Sequence, residues 1–162
     1  MIQSRNKIKL NNAFFSSGWI CVNKPMNLSS FDVVRRLKNF FSLDKIGHAG
    51  TLDPLATGIL PIAFGNATKT IPYLVTSRKK YRFTILWGVK TSSHDLESEI
   101  IERSDSVPTK NDIQKIINNF EGEIYQRPPK YSAVKIKGKR AYKLARKGIN
   151  FDIKEKKVKS HE

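Results

Sequence analysis

The fourteen residues Lys45–Gly58, KIGHAGTLDPLATG, can form neither a regular helix nor a long strand, because they include three glycines and a proline. Glycine adopts backbone angles that other residues avoid, and proline fixes one backbone angle. The segment is therefore predicted to be a tightly turning loop. Asp53 is its only carboxylate, and the small residues around it would let the backbone of a ligand come close.

Apolar patterns on either side of this loop predict regular secondary structure. Gly18–Asn23 and Ile59–Phe64 are short apolar runs, so both are predicted to be strands. Between them, apolar residues recur at helical spacing over Phe31–Phe41, after serines that can cap a helix. Gly65–Thr68 is predicted to open a short helix, which Pro72 limits to a few turns.

The second half of the chain interleaves strand-like and helix-like segments. The predicted elements are a central strand at Phe83–Val89, a strand at Glu99–Glu102 paired with it, a helix at Thr109–Phe120, a strand near Ile124, a strand at Tyr131–Ile136 and an alternation at Phe151 and Ile153. This irregular interleaving with hairpin-like returns predicts an α+β fold, with a mixed, mainly antiparallel sheet flanked by helices.

The charge balance points to a polyanionic partner. Thirty Lys and Arg residues face fourteen Asp and Glu residues, which gives a net charge of +16. Eight basic residues and no acid lie between Lys130 and Lys147, with Tyr131 and Tyr142 among them, and Arg78–Arg82 forms a further cluster. Cations bind phosphates and aromatic rings stack on bases, so we favour a surface that binds nucleic acid. The alternative is a helix face that is merely exposed to solvent, with the two tyrosines in the core.

Several other classes of protein do not fit the sequence. No apolar run approaches the ~20 residues that span a bilayer, and Met1–Ser17 lacks the apolar core of a signal peptide. A soluble cytoplasmic protein without membrane association is therefore expected. The single cysteine and three histidines favour neither a disulfide framework nor a zinc site. These counts lead us to expect no metal, and because the chain has no glycine-rich phosphate-binding motif, we expect no small-molecule cofactor.

The residue types alone leave the role of the candidate site residues open. Asp53 followed by Pro54 is a favoured helix opening, so Asp53 could be a helix cap. His48 could be a turn residue that bonds to its own backbone. Tyr81 could be an ordinary strand aromatic, and Asp95 an ordinary loop acid.

The loop Lys45–Gly58 resembles the catalytic signature of the TruB family of tRNA pseudouridine synthases. Three further segments resemble motifs of that family and follow the expected order: Gly18–Pro25, Lys80-Tyr81 and Gln126–Ala133. The resemblance runs from about Gly18 to the end of the chain. A match over fourteen consecutive positions, with three further motifs in the expected order, is far more specific than a match to one short motif. The resemblance therefore favours a functional role for Asp53.

The resemblance implies an isomerase that converts the T-loop uridine at position 55 of tRNA to pseudouridine after the base flips out. It makes Asp53 the nucleophile and Tyr81 the ring that stacks on the target base. His48 would help to hold the flipped conformation. The other positions matching substrate-binding sites are Lys24, Lys69, Asp95 and Tyr131. The expected partner is the T-arm of tRNA, and the protein is expected to be a monomer.

The resemblance also implies a division of the chain, with an N-terminal extension at 1–17 and part of a catalytic domain at 18–162. The family's catalytic arginine lies in a later motif, as does its PUA domain, so the chain alone is expected to be inactive. The loop Thr91–Ser98 keeps Asp95 but lacks the second threonine and the glycine of the family pattern. The alternative function is a non-catalytic basic RNA-binding fragment of the same fold.

Overall fold

A computed structural model of the chain describes residues 16–132 and 134–161. The chain divides into two compact units, Met1–Arg82 and Phe83–Glu162. Most of the predicted N-terminal extension, residues 1–15, lies outside the described residues, as do Ala133 and Glu162. No helix within the described ranges is long and apolar enough to cross a membrane.

The first unit is built on a three-stranded antiparallel sheet. Its elements are β1 (Gly18–Lys24), α1 (Ser30–Phe40), β2 (Ile46–His48), β3 (Gly58–Phe64), a 3₁₀ helix (Gly65–Thr70) and α2 (Ile71–Val75). The strands lie in the order β1-β3-β2, with β3 in the centre. The loop that carries Asp53 connects β2 to β3, so both of its ends are fixed in neighbouring strands.

Helix α1 begins at a complete capping box, which confirms the predicted helix start. The Ser29 hydroxyl accepts a hydrogen bond from the Asp32 N–H at 3.1 Å, and the Asp32 carboxylate accepts one from the Ser29 N–H at 3.3 Å. These bonds satisfy donors that a helix N-terminus otherwise leaves unpaired. The Ser29 bond also lowers the pKa of the Asp32 carboxyl, with smaller effects in the same direction from nearby arginines.

The core of the first unit lies between α1 and the sheet. Its buried side chains are Val33, Val34, Leu60 and Ile62. The partly buried residues packed against them are Val22, Leu28, Leu37, Ile46 and Leu52. Leu52 immediately precedes Asp53, so the loop is fixed to the core by an apolar side chain next to its carboxylate.

The second unit consists of short elements arranged as antiparallel pairs. They are β4 (Val89–Thr91), β5 (Ile100–Arg103), α3 (Lys110–Ile117), a 3₁₀ helix (Asn118–Phe120), β6 (Gly122–Gln126), β7 (Lys135–Ile136), β8 (Lys139–Arg140), α4 (Ala141–Ala145) and β9 (Lys156–Ser160). The pairs are β4 with β5, β6 with β9 and β7 with β8. The α+β class is confirmed, and every described strand pair is antiparallel.

The predicted central strand at Phe83–Val89 is wrong, since only Val89 lies in a strand, β4. Residues 83–86 have no regular structure and residues 87 and 88 form a turn. Phe83, Ile85 and Leu86 are exposed. A strand needs a neighbour to accept and donate its ladder bonds. Within the described residues the segment pairs with no such neighbour, so its β propensity alone does not make it a strand.

Three smaller predictions differ from the structure. Pro72 does not end a helix but lies in the first turn of α2, where its missing N–H is tolerated. The strand predicted at Tyr131–Ile136 is reduced to β7, because Ser132 turns back to bond the Pro129 carbonyl. The alternation at Phe151 and Ile153 is not a strand, since β9 begins at Lys156.

We expect Ile62→Ala to lower the free energy of unfolding of the first unit by about 2–5 kcal/mol, because it leaves a cavity in the core. Ile62 is completely buried, whereas Ile59 on the same strand is 69% exposed. The matched variant Ile59→Ala should change stability by less than about 0.5 kcal/mol. Urea unfolding of both variants measures the difference, and equal losses would contradict this core assignment.

Candidate active site

Asp53 opens a β-turn and does not cap a helix. The Asp53 carbonyl accepts a hydrogen bond from the Ala56 N–H at 3.0 Å, and no helix begins between residues 53 and 57. Aspartate at the first position and proline at the second are favoured in such turns. The interpretation of Asp53 as a helix cap is therefore wrong. The side chain of Asp53 is exposed, on a turn whose backbone is fixed.

The buried side chain of Lys24 holds one flank of this turn. Its Nζ donates to the carbonyls of Pro25 at 3.0 Å, Leu28 at 2.7 Å and Pro54 at 3.2 Å. The Pro54 carbonyl also accepts from the Asn27 N–H at 2.8 Å. Lys24 is completely buried at the end of β1. The three carbonyls account for the three N–H bonds of its ammonium, so the buried donors are all used.

Electrostatics tie Lys24 to the carboxylate as well. Burial lowers the pKa of the Lys24 ammonium, because the charged form loses hydration. The negative charge of Asp53 acts in the opposite direction and raises it. The carboxylate of Asp53 therefore favours the protonated form of Lys24, whose Nζ also donates a hydrogen bond to the backbone of the turn.

His48 lies on the other side of the loop, at the end of β2. Its Nδ1 donates to the carbonyl of Gly50, in agreement with the local backbone bond considered from sequence. This bond fixes the tautomer of the neutral ring and leaves Nε2 as an acceptor. Gly50 has φ +96°, a conformation that favours glycine. The loop next to Ala49 is held to β3 by the bond from the Ala49 N–H to the Pro61 carbonyl, at 2.9 Å.

Asp53 and Tyr81 line the same cleft, which lies within the first unit. The cleft has a volume of about 860 Å³. Residues of the loop and of the start of β3, between 49 and 61, form one part of its wall, and Leu74 with residues 77–82 forms the other. The Tyr81 side chain is 66% exposed, so its ring is accessible to a ligand.

The cleft wall is strongly basic. Arg78, Lys79, Lys80 and Arg82 all belong to it. Lys79 donates through Nζ to the carbonyls of Val75 at 2.6 Å and Ser77 at 3.0 Å, at the end of α2. Lys79 thereby holds the segment in place, while the cluster as a whole gives the wall a positive charge that suits phosphate groups.

Of the predicted site residues, only Asp53 and Tyr81 are among the described residues that line this cleft, so Lys24 and His48 do not line it, and neither do the other three. Lys69 is exposed on the 3₁₀ helix Gly65–Thr70. Asp95 and Tyr131 belong to the second unit. The Asp95 carboxylate accepts bonds from the Ser93 hydroxyl and the Glu97 N–H, so it organises its own loop. The roles of these three residues, like those predicted for Asp53, Tyr81, His48 and Lys24, stay predictions.

One contact to the site was missed by the sequence analysis. Ser30, considered there only among the serines that could cap α1, hydrogen-bonds to Leu52, next to Asp53. The residues are 22 positions apart, so no local pattern indicates the contact. The described residues contain no group of three or more His, Cys, Asp or Glu side chains that could hold a metal ion.

The first unit thus presents an exposed carboxylate and an accessible tyrosine in a basic cleft. The sequence model of the TruB family pseudouridylate synthases (N terminal domain) matches residues 38–162. The chain belongs to the TruB family, which confirms the resemblance seen in its motifs.

Relatives named tRNA pseudouridine synthase B match almost the whole chain. The protein of Caulobacter sp. (strain K31) is 52% identical over 145 residues, which is 90% of this chain and 47% of the relative. The protein of Wolbachia pipientis subsp. Culex pipiens is 55% identical over 146 residues, or 90% of this chain and 41% of the relative. The chain therefore spans about half the length of these relatives.

A solved structure of a Cbf5-Nop10-Gar1 complex contains a chain that is 31% identical to this one, with a TM-score of 0.47. The match covers 73% of this chain and 31% of the other. Family membership rests on the sequence matches.

We expect Lys24→Met to destabilise the first unit by about 2–4 kcal/mol, because it fills the same space but leaves buried carbonyls without a donor. The matched control is Lys38→Met on the exposed face of α1, which should change stability by less than about 0.5 kcal/mol. Thermal unfolding of the two variants checks this. A loss at Lys24→Met no larger than the control's would show that its carbonyl contacts contribute little.

Proposed function

We propose that this chain forms the part of a tRNA pseudouridine synthase that carries the nucleophile, Asp53, and that the enzyme isomerises the T-loop uridine at position 55. The observation that supports this most is the exposed Asp53 carboxylate on a fixed turn, in a basic cleft that Tyr81 also lines. Family membership and the names of the two relatives point in the same direction.

The isomerisation of uridine to pseudouridine needs a nucleophile, and the carboxylate of Asp53 can act as one. The bond between C1′ of the ribose and N1 of uracil breaks, and a bond between C1′ and C5 forms. C5 loses a proton and N1 gains one, so composition and oxidation state do not change. A carboxylate can form the transient covalent bond that such a transfer needs, and the freed base must stay in the site until C5 bonds to C1′. Attack by Asp53 at C1′ and attack at C6 of the ring both remain compatible with the residues present.

The substrate must leave its stacked position before Asp53 can reach it. Enzymes that act on a base inside a folded nucleic acid flip it out, at a cost of lost stacking. The exposed Tyr81 ring in the cleft can offset part of that loss by stacking on the flipped uracil. The cations at Arg78, Lys80 and Arg82 can contact the flanking phosphates. His48 would support the loop that receives the nucleotide.

A second candidate function is RNA binding without catalysis. It is favoured by one observation, the net charge of +16 in a chain that spans about half of its relatives' length. In the family the arginine that pairs with the nucleophilic aspartate lies in a later motif. Binding of tRNA without turnover is therefore expected of residues 1–162 alone.

The two candidates are separated by an assay of pseudouridine formation with an extended chain, in which the second half of the Caulobacter relative follows residue 162. We expect residues 1–162 alone to give no measurable product and the extended chain to be active without added metal or nucleotide. In the extended chain, Asp53→Asn should abolish turnover and leave tRNA binding nearly intact, because the amide keeps the shape but not the nucleophile.

The matched control is Asp44→Asn, which changes an exposed aspartate of the same unit and should leave turnover unchanged. Turnover by Asp53→Asn comparable to that of the parent would refute the proposed nucleophile.

We expect Tyr81→Leu to reduce turnover of the extended chain more than it weakens binding of unmodified tRNA, since stacking matters most after the base has flipped. Losing a stacked aromatic typically costs about 1–3 kcal/mol per base. Tyr73→Leu is the matched control, because Tyr73 is also exposed in the first unit but does not line the described cleft. Kinetics and filter binding measure both variants, and equal small losses in the two assays would contradict the stacking role.

A further inference from the structure

Ser30 brackets the residue that precedes Asp53. Its Oγ accepts a hydrogen bond from the Leu52 N–H at 2.9 Å and donates one to the Leu52 carbonyl at 3.0 Å. Ser30 is 2% exposed, so its hydroxyl needs both partners to offset the loss of water. One side chain therefore satisfies both backbone groups of a single loop residue.

These two bonds act on the direction of the Asp53 side chain. The Leu52 carbonyl belongs to the peptide unit that ends at the Cα atom of Asp53, and peptide units are planar. Fixing that carbonyl fixes the plane from which the Asp53 side chain starts. The packing of the Leu52 side chain on the core positions the residue but does not set the rotation of this plane. On the other side of Asp53, the Pro54 carbonyl is fixed by Lys24 and Asn27.

The capping of α1 does not require the Ser30 hydroxyl. The preceding residue, Ser29, is the N-cap and forms the complete capping box with Asp32. The two adjacent serines therefore have separate roles: Ser29 caps α1, and Ser30 binds the backbone of the loop at Leu52. This separation supplies a control variant one residue away.

We propose that Ser30 is a positioning residue for the Asp53 carboxylate and that it acts through the backbone of Leu52. This proposal rests on the proposed function, in which Asp53 is the nucleophile. A nucleophile must be held close to its attack geometry, and a displacement of about 1 Å can reduce the rate by about 100-fold. Loss of the bracket should therefore slow the chemical step while the basic wall still binds tRNA.

The test compares three variants, Ser30→Ala, Ser30→Cys and Ser29→Ala. Ser30→Ala removes both bonds, and Ser30→Cys weakens them while it fills the space, because a thiol is a weak donor and acceptor. Ser29→Ala removes the helix cap at a cost of about 1 kcal/mol without touching the loop. Hydrogen exchange of residues 51–56 is followed in the full chain, and kcat and the Kd for tRNA are measured in the extended active chain.

We expect both Ser30 variants to speed up hydrogen exchange at residues 51–56 and to lower kcat by about tenfold or more, with the Kd for tRNA unchanged. Ser29→Ala should keep the parental kcat and the parental exchange of these residues. Parental kcat in the Ser30 variants, or the same kcat loss in Ser29→Ala, would overturn the positioning role. Parental turnover by Asp53→Asn would instead overturn the proposed function.

Discussion

The buried ammonium of Lys24 is the interaction on which the geometry of the candidate site depends. It joins the end of β1 to the carbonyls of Pro25, Leu28 and Pro54, three points that no regular element connects. A buried charge is costly unless it is paired and hydrogen-bonded, so this arrangement is stable only when the segments converge on it. The requirement to satisfy Lys24 therefore orders the Asp53 turn.

Helix α1 adds a second anchor from a different direction. Through Ser30 it fixes the backbone of Leu52, whose side chain packs against the core that α1 forms with β3. Asp53 thus lies between two fixed neighbours while its own side chain is exposed. A loop rich in glycine would otherwise sample many conformations, and such sampling would lower the rate of any reaction that needs a defined attack geometry.

Local signals predicted β1, α1 and β3 of the first unit, but not β2, because Ile46–His48 belongs to the segment predicted as a loop and forms a strand by pairing with β3. The capping serine and the apolar spacing around Val33 and Val34 indicate α1, and the structure has it at Ser30–Phe40. The strand predicted at Phe83–Val89 failed because pairing depends on a neighbouring strand that a local pattern does not describe. Asp53 followed by Pro54 fits both a helix cap and a turn. The structure has the turn, which is held by contacts distant in sequence, such as the hydrogen bond from Lys24 to the Pro54 carbonyl.

The positive charge of the cleft and its single carboxylate act together in the proposed function. If tRNA is the substrate, as proposed, its phosphate groups would be repelled by Asp53 and attracted by Arg78, Lys80 and Arg82, which line the same cleft. Two unit charges 4 Å apart interact by about 1 kcal/mol in water and by about 4 kcal/mol near a protein surface. An attraction to the basic wall and a repulsion from Asp53 of that size would keep the backbone phosphates on the wall. The uncharged sugar and base would then be the groups that approach Asp53. The site could in this way orient a nucleotide before any group specific to uracil is contacted.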